Sequence, residues 1–351
     1  MISVIIPTFS RENLLEIAVK SIIQQNFPNN QYEILVIDNA STDSRKALIE
    51  KIIKIYPTSN VRYINESIPG LLSGRHRGVF EAIGELLVFI DEDVEADRGL
   101  LAAISNSFKK PNIHLVGGRC LPKYEIEPPK WLKYMWFKSI EMKHCGYLSL
   151  IDMGRREKRI DPYYVWGLNF SIRKAILIEL GGFHPDSYPK HIQKFQGDGD
   201  GGLTLKLKEK GYEALYQPKA LVYHYISSER MSVTYFEQRM FYQGVCNSYT
   251  KIRRNGGILM QKKEVPNQHI LVSRHIKTFY RDPVLFLTKI VRKLRAMPLP
   301  KPEPSYMKSI KEKLVKAYND GYNFHQYHVK NDPALLNWVL KEDYFDYRLP
   351  E

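Results

Sequence analysis

Four apolar runs, "SVIIPT", "YEILVID", "VRYIN" and "ELLVFID", alternate with helix-patterned segments in the first part of the chain. This alternation limits the fold more than any other feature. The runs are almost continuously apolar, so each strand should be buried on both faces, as in a parallel sheet. Between them, "RENLLEIAVKSIIQQ" repeats apolar residues at Leu14, Leu15, Ala18, Val19, Ile22 and Ile23, the spacing of one helical face. "DSRKALIEKIIKIY" and "LLSGRHRGVFEAIG" also read as helices. Ser10, and Ser41 or Thr42, are the expected N-caps, and Gly84 the expected stop of the third helix. Alternating β and α units predict a doubly wound α/β layer, a mostly parallel sheet flanked by helices.

Sheets of this kind bind ligands beyond the C-terminal ends of their strands. Three polar clusters fall there: Pro7-Thr8, Asp38-Asn39 and Asp91-Glu92-Asp93. The third raises a physical problem. Three carboxyl groups crowd the end of a buried strand, and like charges that close require compensation. A divalent cation would supply it, since Mg2+ and Mn2+ take carboxylate oxygen and share phosphates with a bound substrate. In extended chain Asp91 and Asp93 point to one side and Glu92 to the other. The competing reading is a solvated acidic turn.

Composition narrows the class. Of 351 residues, 44% are hydrophobic, ordinary for a soluble globular protein. No segment approaches the roughly 18 apolar residues that span a bilayer. "MISVIIPTFSREN" reads as strand and turn, so no signal peptide is expected. Cys120, Cys145 and Cys246 are odd in number and far apart, which argues for a reducing, cytoplasmic compartment. The formal net charge of +14 suggests an anionic partner. Its excess is concentrated between Lys251 and Arg295, where only Glu264 and Asp282 oppose it.

Beyond Pro111 prolines break the pattern, and Trp131, Trp136, Tyr163, Tyr164 and Trp166 enrich it in aromatics, as in strands with long functional loops. The aromatic planes of "PYYVWG" would suit the apolar face of a sugar ring; core packing would use them equally well. "GLTLKLKEKGY" reads as a helix stopped at Gly211, and "EALYQPKALVYHY" as an extended run closing on His224. After about residue 226 the strand signal fades. "VTYFEQRMFYQGVCNSYTKIRR" reads as a helix, residues 282–295 as another, and "MPLPKPEP" as a break. The expected organisation is an α/β catalytic domain over 1–225 and a helical, basic C-terminal extension over 226–351.

Taken in order, "SVIIPTFSRENLL", "LVIDNASTDS" and "GLLSGRHRGVFEAIGELLVFIDEDV" resemble the family 2 glycosyltransferases of GT-A fold. "WGLNFSIRK" resembles that family's G-x-N-x-x-x-R stretch, and "GDGDGGLTLKLKEKGYEALYQPKALVYH" its acidic helix start and closing histidine. The likeness covers residues 1 to about 225. It implies inverting transfer from a nucleoside-diphosphate sugar, with UDP favoured by analogy, assisted by Mn2+ or Mg2+. The acceptor would be a saccharide or lipid-linked hydroxyl in polysaccharide or glycoconjugate assembly at the cell envelope. Pro7 and Thr8 would lie against the nucleotide with Arg11 nearby. Asp38 would accept a hydrogen bond from the nucleobase, and Arg75 would face the diphosphate. Asp91 would contact the ribose, or the metal through water. Asp93 would ligate the metal, and His224 would complete its site or touch the diphosphate. The family's R-N-x-G is here Arg75-His76-Arg77-Gly78, and its E-D pair is split as Asp198-Gly199-Asp200.

The chemistry asks for the same residue types. A diphosphate leaving group needs its developing charge stabilised, by a metal and by Arg75 or Arg77. The acceptor hydroxyl must give up a proton to a carboxylate. Asp200 is the first candidate and Asp198 the second, both before a helix whose N-terminus favours negative charge. The basic C-terminal region would either dock on the anionic inner face of a membrane or pack on the catalytic domain with a solvated face. Two rival classes are weaker. A nucleotidyltransferase acting on sugar phosphates would carry a Gly-rich N-terminal loop, and "PTFSREN" has no Gly. A basic nucleic-acid-binding protein would show a compact recognition motif; none is visible, so no nucleic-acid partner is expected.

Overall fold

The structure is a computed structural model and describes residues 1–9, 12–39, 45–257 and 304–350. The chain divides into two compact units, residues 1–258 with 310–351, and residues 259–309. The polar clusters all lie in the first unit. The expected caps Ser10, Ser41 and Thr42 lie outside the described residues, as do Arg11, the helical stretch at 282–295 and residues 297–303 of the Pro-rich break.

Strands β1 (Ile2–Thr8), β2 (Tyr32–Asn39), β3 (Val61–Glu66) and β4 (Leu86–Ile90) form a parallel sheet in the order β3-β2-β1-β4. Every residue of β1 and β2 is buried. Helices α1 (Glu12–Ile23), α2 (Arg45–Ile55) and α3 (Leu71–Glu81) make the crossovers. Successive residues of β1 feed opposite faces. Val4 and Ile6 pack with Leu15 and Val19 of α1 and Ile49 of α2. Ile5 packs on the other face with Leu72 and Val79 of α3. Two-sided burial explains why these strands lack the alternation of a half-exposed sheet.

The second half of the sheet is mixed. The remaining strands are β5 (Val94–Ala96), β6 (Ile113–Tyr124), β7 (Phe137–Lys138), β8 (Lys143–Cys145), β9 (Leu150–Asp152), β10 (Lys158–Ile160), β11 (Asn169–Arg173) and β12 (Glu213–Ile226). β11 runs antiparallel to both β4 and β6. β12 lies parallel to β6 and antiparallel to β5. Helices α4 (Leu100–Phe108), α5 (Lys174–Glu179) and α6 (Asp200–Glu209) complete the α/β layer.

Gly84 does not end α3. That helix closes at Ala82, and Gly84 keeps a φ outside the left-handed range. Its N–H donates to Ser3 Oγ at 2.8 Å, and a Cβ there would come within 2.7 Å of the Ser3 nitrogen. The glycine serves close strand approach. Gly211, at φ +75°, does follow α6 as a left-handed stop.

C-terminal helices α7 (Val233–Arg254), α8 (Ser305–Asn331) and α9 (Pro333–Leu340) follow. α7 and α8 cross where Gly244 faces the Tyr318 carbonyl and Gly321 faces the Phe241 carbonyl, so a side chain at either would collide with backbone. Leu335, Trp338, Val339 and Tyr344 join the same apolar cluster as Ile5 and Leu72. His76 ties this tail to the layer. Its Nδ1 bonds the Tyr344 carbonyl at 3.0 Å, and its Nε2 accepts from the Phe183 amide at 2.9 Å. Full burial lowers its pKa to about 3, so it stays neutral and can hold both bonds.

Candidate active site

The parallel register aligns Thr8 with Asp38, and Asp38 with Asn65, along one edge of the sheet. Pro7 and Thr8 are buried at the end of β1. Thr8 Oγ1 donates to the Glu92 carboxylate, and the Phe9 amide donates to the same oxygen at 3.2 Å. Glu92 thus fastens the end of β1. Asp38, 2% exposed, accepts from Tyr63 Oη at 2.5 Å. Its neighbour Asn39 holds the entry to α3, accepting from the Gly70 amide at 2.8 Å and donating to Ser73 Oγ at 3.1 Å.

Asp91, Glu92 and Asp93 occupy a turn between β4 and β5 rather than extended chain. The turn gives the two aspartates different partners. Asp91 is one-third exposed and lies 3.6 Å from Arg75 Nη2. Burial raises its pKa above the usual carboxylate range, against the opposing pull of Arg75, with Asp93 adding repulsion. Asp93 is buried beside His224 and Arg230. Its Oδ1 is 3.3 Å from His224 Nε2, and its Oδ2 is 2.9 Å from Arg230 Nη2. Strand pairing fixes the first contact, because Val94 of β5 opposes His224 of β12 and the Tyr225 amide bonds the Asp93 carbonyl at 2.9 Å.

His224 Nδ1 bonds the Leu148 carbonyl at 2.9 Å, and Arg230 Nη1 bonds Nε2 at 2.5 Å. The carbonyl requires Nδ1–H, which leaves the Nε2 lone pair facing Arg230 and Asp93. A carboxylate oxygen and an imidazole nitrogen 3.3 Å apart are close to the ~3.0 Å edge between adjacent ligands of a small octahedral cation. The donor types also suit Mn2+ or Mg2+. Among the described residues no three His, Cys, Asp or Glu side chains cluster as a complete site. Asp93 and His224 could therefore contribute two ligands to a divalent cation, not a complete set.

Arg75 is 3% exposed and runs under the site from α3. Its guanidinium covers the Phe183 ring at 4.9 Å and lies against Gly167, where a Cβ would stand 2.1 Å from Nη2. Gly167 also serves the neighbouring acid, since its N–H donates to Asp200 Oδ2 at 2.6 Å. Asp200 is the first residue of α6. Burial raises its pKa to about 6, with Arg75 opposing and Asp186 and Asp91 adding negative charge. The glycine of "WGLNF" thus lets cation and carboxylate approach one another. Arg77 takes no part here; it pairs with Glu81 at 2.9 Å on the exposed side of α3.

Asp198 is used differently from Asp200. Gly199, at φ +56°, turns the chain between them. Asp198 Oδ1 accepts from His184 Nδ1 at 2.7 Å and Oδ2 accepts from Thr250 Oγ1 at 2.6 Å. Burial alone would raise its pKa, but these partners hold it below the usual range. Both oxygens of Asp198 are thus engaged, one by His184 and one by Thr250 of α7, whereas Asp200 is bonded by the Gly167 amide. Tyr163, 55% exposed, stands beside Asp200, and Trp166 Nε1 bonds the Tyr163 carbonyl at 3.2 Å.

A family model described as Glycosyl transferase family 2 matches residues 3–181, just over half of the chain. The chain belongs to that family. This glycosyltransferase is 22% identical over 215 residues to glycosyltransferase AglE of Haloferax volcanii, covering 61% of this chain and 64% of the relative. It is 34% identical over 126 residues to the GalNAc(5)-diNAcBac-PP-undecaprenol beta-1,3-glucosyltransferase of Campylobacter jejuni, covering 35% of this chain and 39% of the relative. The chain thus spans less than two thirds of either relative. A mannosyltransferase of Pyrobaculum calidifontis, solved in complex with GDP-Man and Mn2+, superposes with a TM-score of 0.52 at 18% identity, covering 99% of this chain and 88% of that one. That likeness establishes the shared GT-A fold. Sequence alone marked neither Arg230 nor the two contacts of Gly167. Gly167 stands inside the "WGLNFSIRK" motif, which is a signal of a kind, whereas nothing around Arg230 singles it out.

Proposed function

We propose that this glycosyltransferase moves a sugar from a nucleoside-diphosphate sugar to an acceptor hydroxyl by a single inverting displacement, with Mn2+ or Mg2+ bound. The observation that carries the reading is Asp200, a carboxylate at a helix start with a pKa near 6, set beside the buried cation Arg75. In this reading Asp200 takes the acceptor proton as the hydroxyl attacks the anomeric carbon. Arg75 stabilises negative charge on the departing diphosphate. Pro7, Thr8, Asp38 and Asp91 bind the nucleoside, and Asp93 with His224 holds the cation. A bound divalent cation would supply electrostatic stabilisation of the leaving group. Arg11 keeps its proposed place beside the nucleotide.

The expected result is donor-dependent thermal stabilisation that requires the metal. UDP- and GDP-sugars are screened with Mn2+ or Mg2+ by thermal shift and by donor hydrolysis. Addition of EDTA should abolish hydrolysis, and re-addition of metal should restore it. Full activity in EDTA would remove the cation from the reading.

The acceptor is proposed to be a saccharide or lipid-linked chain of the cell envelope; the name of the C. jejuni relative, with its undecaprenol-linked substrate, supports that class. No helix among the described residues is long and apolar enough to cross a membrane. Peripheral contact through the basic region from residue 226 onward is proposed instead. Flotation with anionic liposomes should then carry the protein upward at low salt and not at high salt. Absence of salt-sensitive flotation would leave the region as packing only.

A further inference from the structure

We infer that Arg230 is an internal counter-ion that occupies the cation position between Asp93 and His224, and that it must leave before a divalent metal can enter. The inference rests on the metal-site reading above and extends it to a residue that reading does not use.

Three observations carry it. First, one guanidinium engages both donors at once, Nη2 with Asp93 Oδ2 at 2.9 Å and Nη1 with His224 Nε2 at 2.5 Å. These are the two side chains that a cation would need. Metal and guanidinium therefore compete for the same lone pair on Nε2 and the same carboxylate charge. Second, the donors are fixed while the guanidinium's support is slight. Asp93 and His224 are held by the pairing of β5 with β12. Arg230 sits on a single 3-10 turn, Glu229–Met231, between β12 and α7. Third, the lodging is incomplete. Arg230 Nε is buried with no hydrogen-bond partner among the described residues, and the Tyr235 ring lies 5.9 Å from the guanidinium carbon, with the charges of Asp91 and Glu92 nearby. An arginine removed from its carboxylate seeks another anion, and the guanidinium fork matches phosphate oxygens. A nucleoside diphosphate would take up the released Arg230 as the metal takes its place. Binding of metal and diphosphate becomes cooperative, and the acidic site remains charge-compensated when empty.

Mn2+ binding tests this without reference to turnover. Free Mn2+ is followed by its paramagnetic resonance signal while it is titrated into wild type, Arg230→Met and Arg230→Lys, each with and without UDP or GDP. Thermal melts confirm that each variant is folded. Without nucleotide, Arg230→Met should bind Mn2+ about tenfold more tightly than wild type. Nucleoside diphosphate should raise wild-type Mn2+ affinity by about tenfold or more and that of Arg230→Met much less. Arg230→Lys should retain the wild-type pattern in part, because it keeps a cation that cannot fork. Equal Mn2+ affinity in wild type and Arg230→Met, with the same response to nucleotide, overturns the inference and leaves the metal site standing. Absence of Mn2+ binding in every protein, even with nucleotide, overturns the metal-site reading and the inference together.

Discussion

Asp200→Asn is expected to lower turnover by about 10²- to 10⁴-fold, the range of a positioned general base, while nucleotide affinity stays nearly unchanged. The amide keeps the shape of the carboxylate and can still accept from the Gly167 amide, but it cannot take a proton. The loss should therefore appear in the rate and not in donor binding. The pH profile gives a second readout. The raised pKa of about 6 means that the base form is lost as pH falls through 6. Wild-type turnover should fall about tenfold per pH unit below that point and level off above it. The Asn variant should lack this limb. Stability moves the other way. A carboxyl whose folded pKa lies above its unfolded value near 3.8 is favoured when protonated, and this contribution is fully present below 3.8 and lost as pH rises through 6. At neutral pH Asp200→Asn should therefore be more stable than wild type, by on the order of 1–2 kcal/mol after allowance for partial exposure. Stopped-assay kinetics from pH 5 to 8, with urea unfolding at pH 7, would check both. An unchanged rate would move the proton acceptor elsewhere.

The parallel half of the fold was legible in the sequence because two-sided burial leaves a strong mark. β1 and β2 carry almost no polar residue until their C-terminal ends, and those ends are where the polar clusters gather. The mixed half was less legible. β11 lies between β4 and β6 and pairs antiparallel with both across long intervening loops, and nothing in the short-range pattern of "NFSIR" states its neighbour or direction. The differing environments of the acids lay deeper still. In the sequence Asp198 and Asp200 are near equivalents. A positive φ at Gly199 separates them, giving one to His184 and Thr250 and the other to Gly167 and Arg75. Alternation does not describe the acidic triplet, since the segment is a turn and Glu92 accepts from Thr8 and the Phe9 amide. The charge balancing the acidic triplet came from residues distant in sequence, Arg75 for Asp91 and Arg230 for Asp93. Such pairings are facts of the tertiary fold that spacing cannot encode.

Asp93→Ala is expected to abolish metal-dependent transfer and also to destabilise the fold, and the two effects have separable causes. Loss of a metal ligand that supports a leaving group should remove several kcal/mol of transition-state stabilisation, at least about 10²-fold in rate. The stability loss comes from Arg230. Its side chain is 17% exposed and its carboxylate partner only 4%. Removing one member of such a pair leaves an uncompensated charge away from water, at a cost of about 3 kcal/mol, the lower end of the usual range because Arg230 retains some solvent. Asp93→Ala/Arg230→Met should then be more stable than Asp93→Ala alone, with a coupling of about 1–3 kcal/mol. Its transfer should remain absent, because no carboxylate has been restored. Urea unfolding of wild type, both single variants and the double variant measures the coupling, and donor hydrolysis with Mn2+ measures the rate. A double variant no more stable than Asp93→Ala would mean that the ion pair carries no stability. Recovery of transfer in the double variant would mean that Asp93 matters to the reaction only by holding Arg230, a role the buried Asp93–His224 contact argues against.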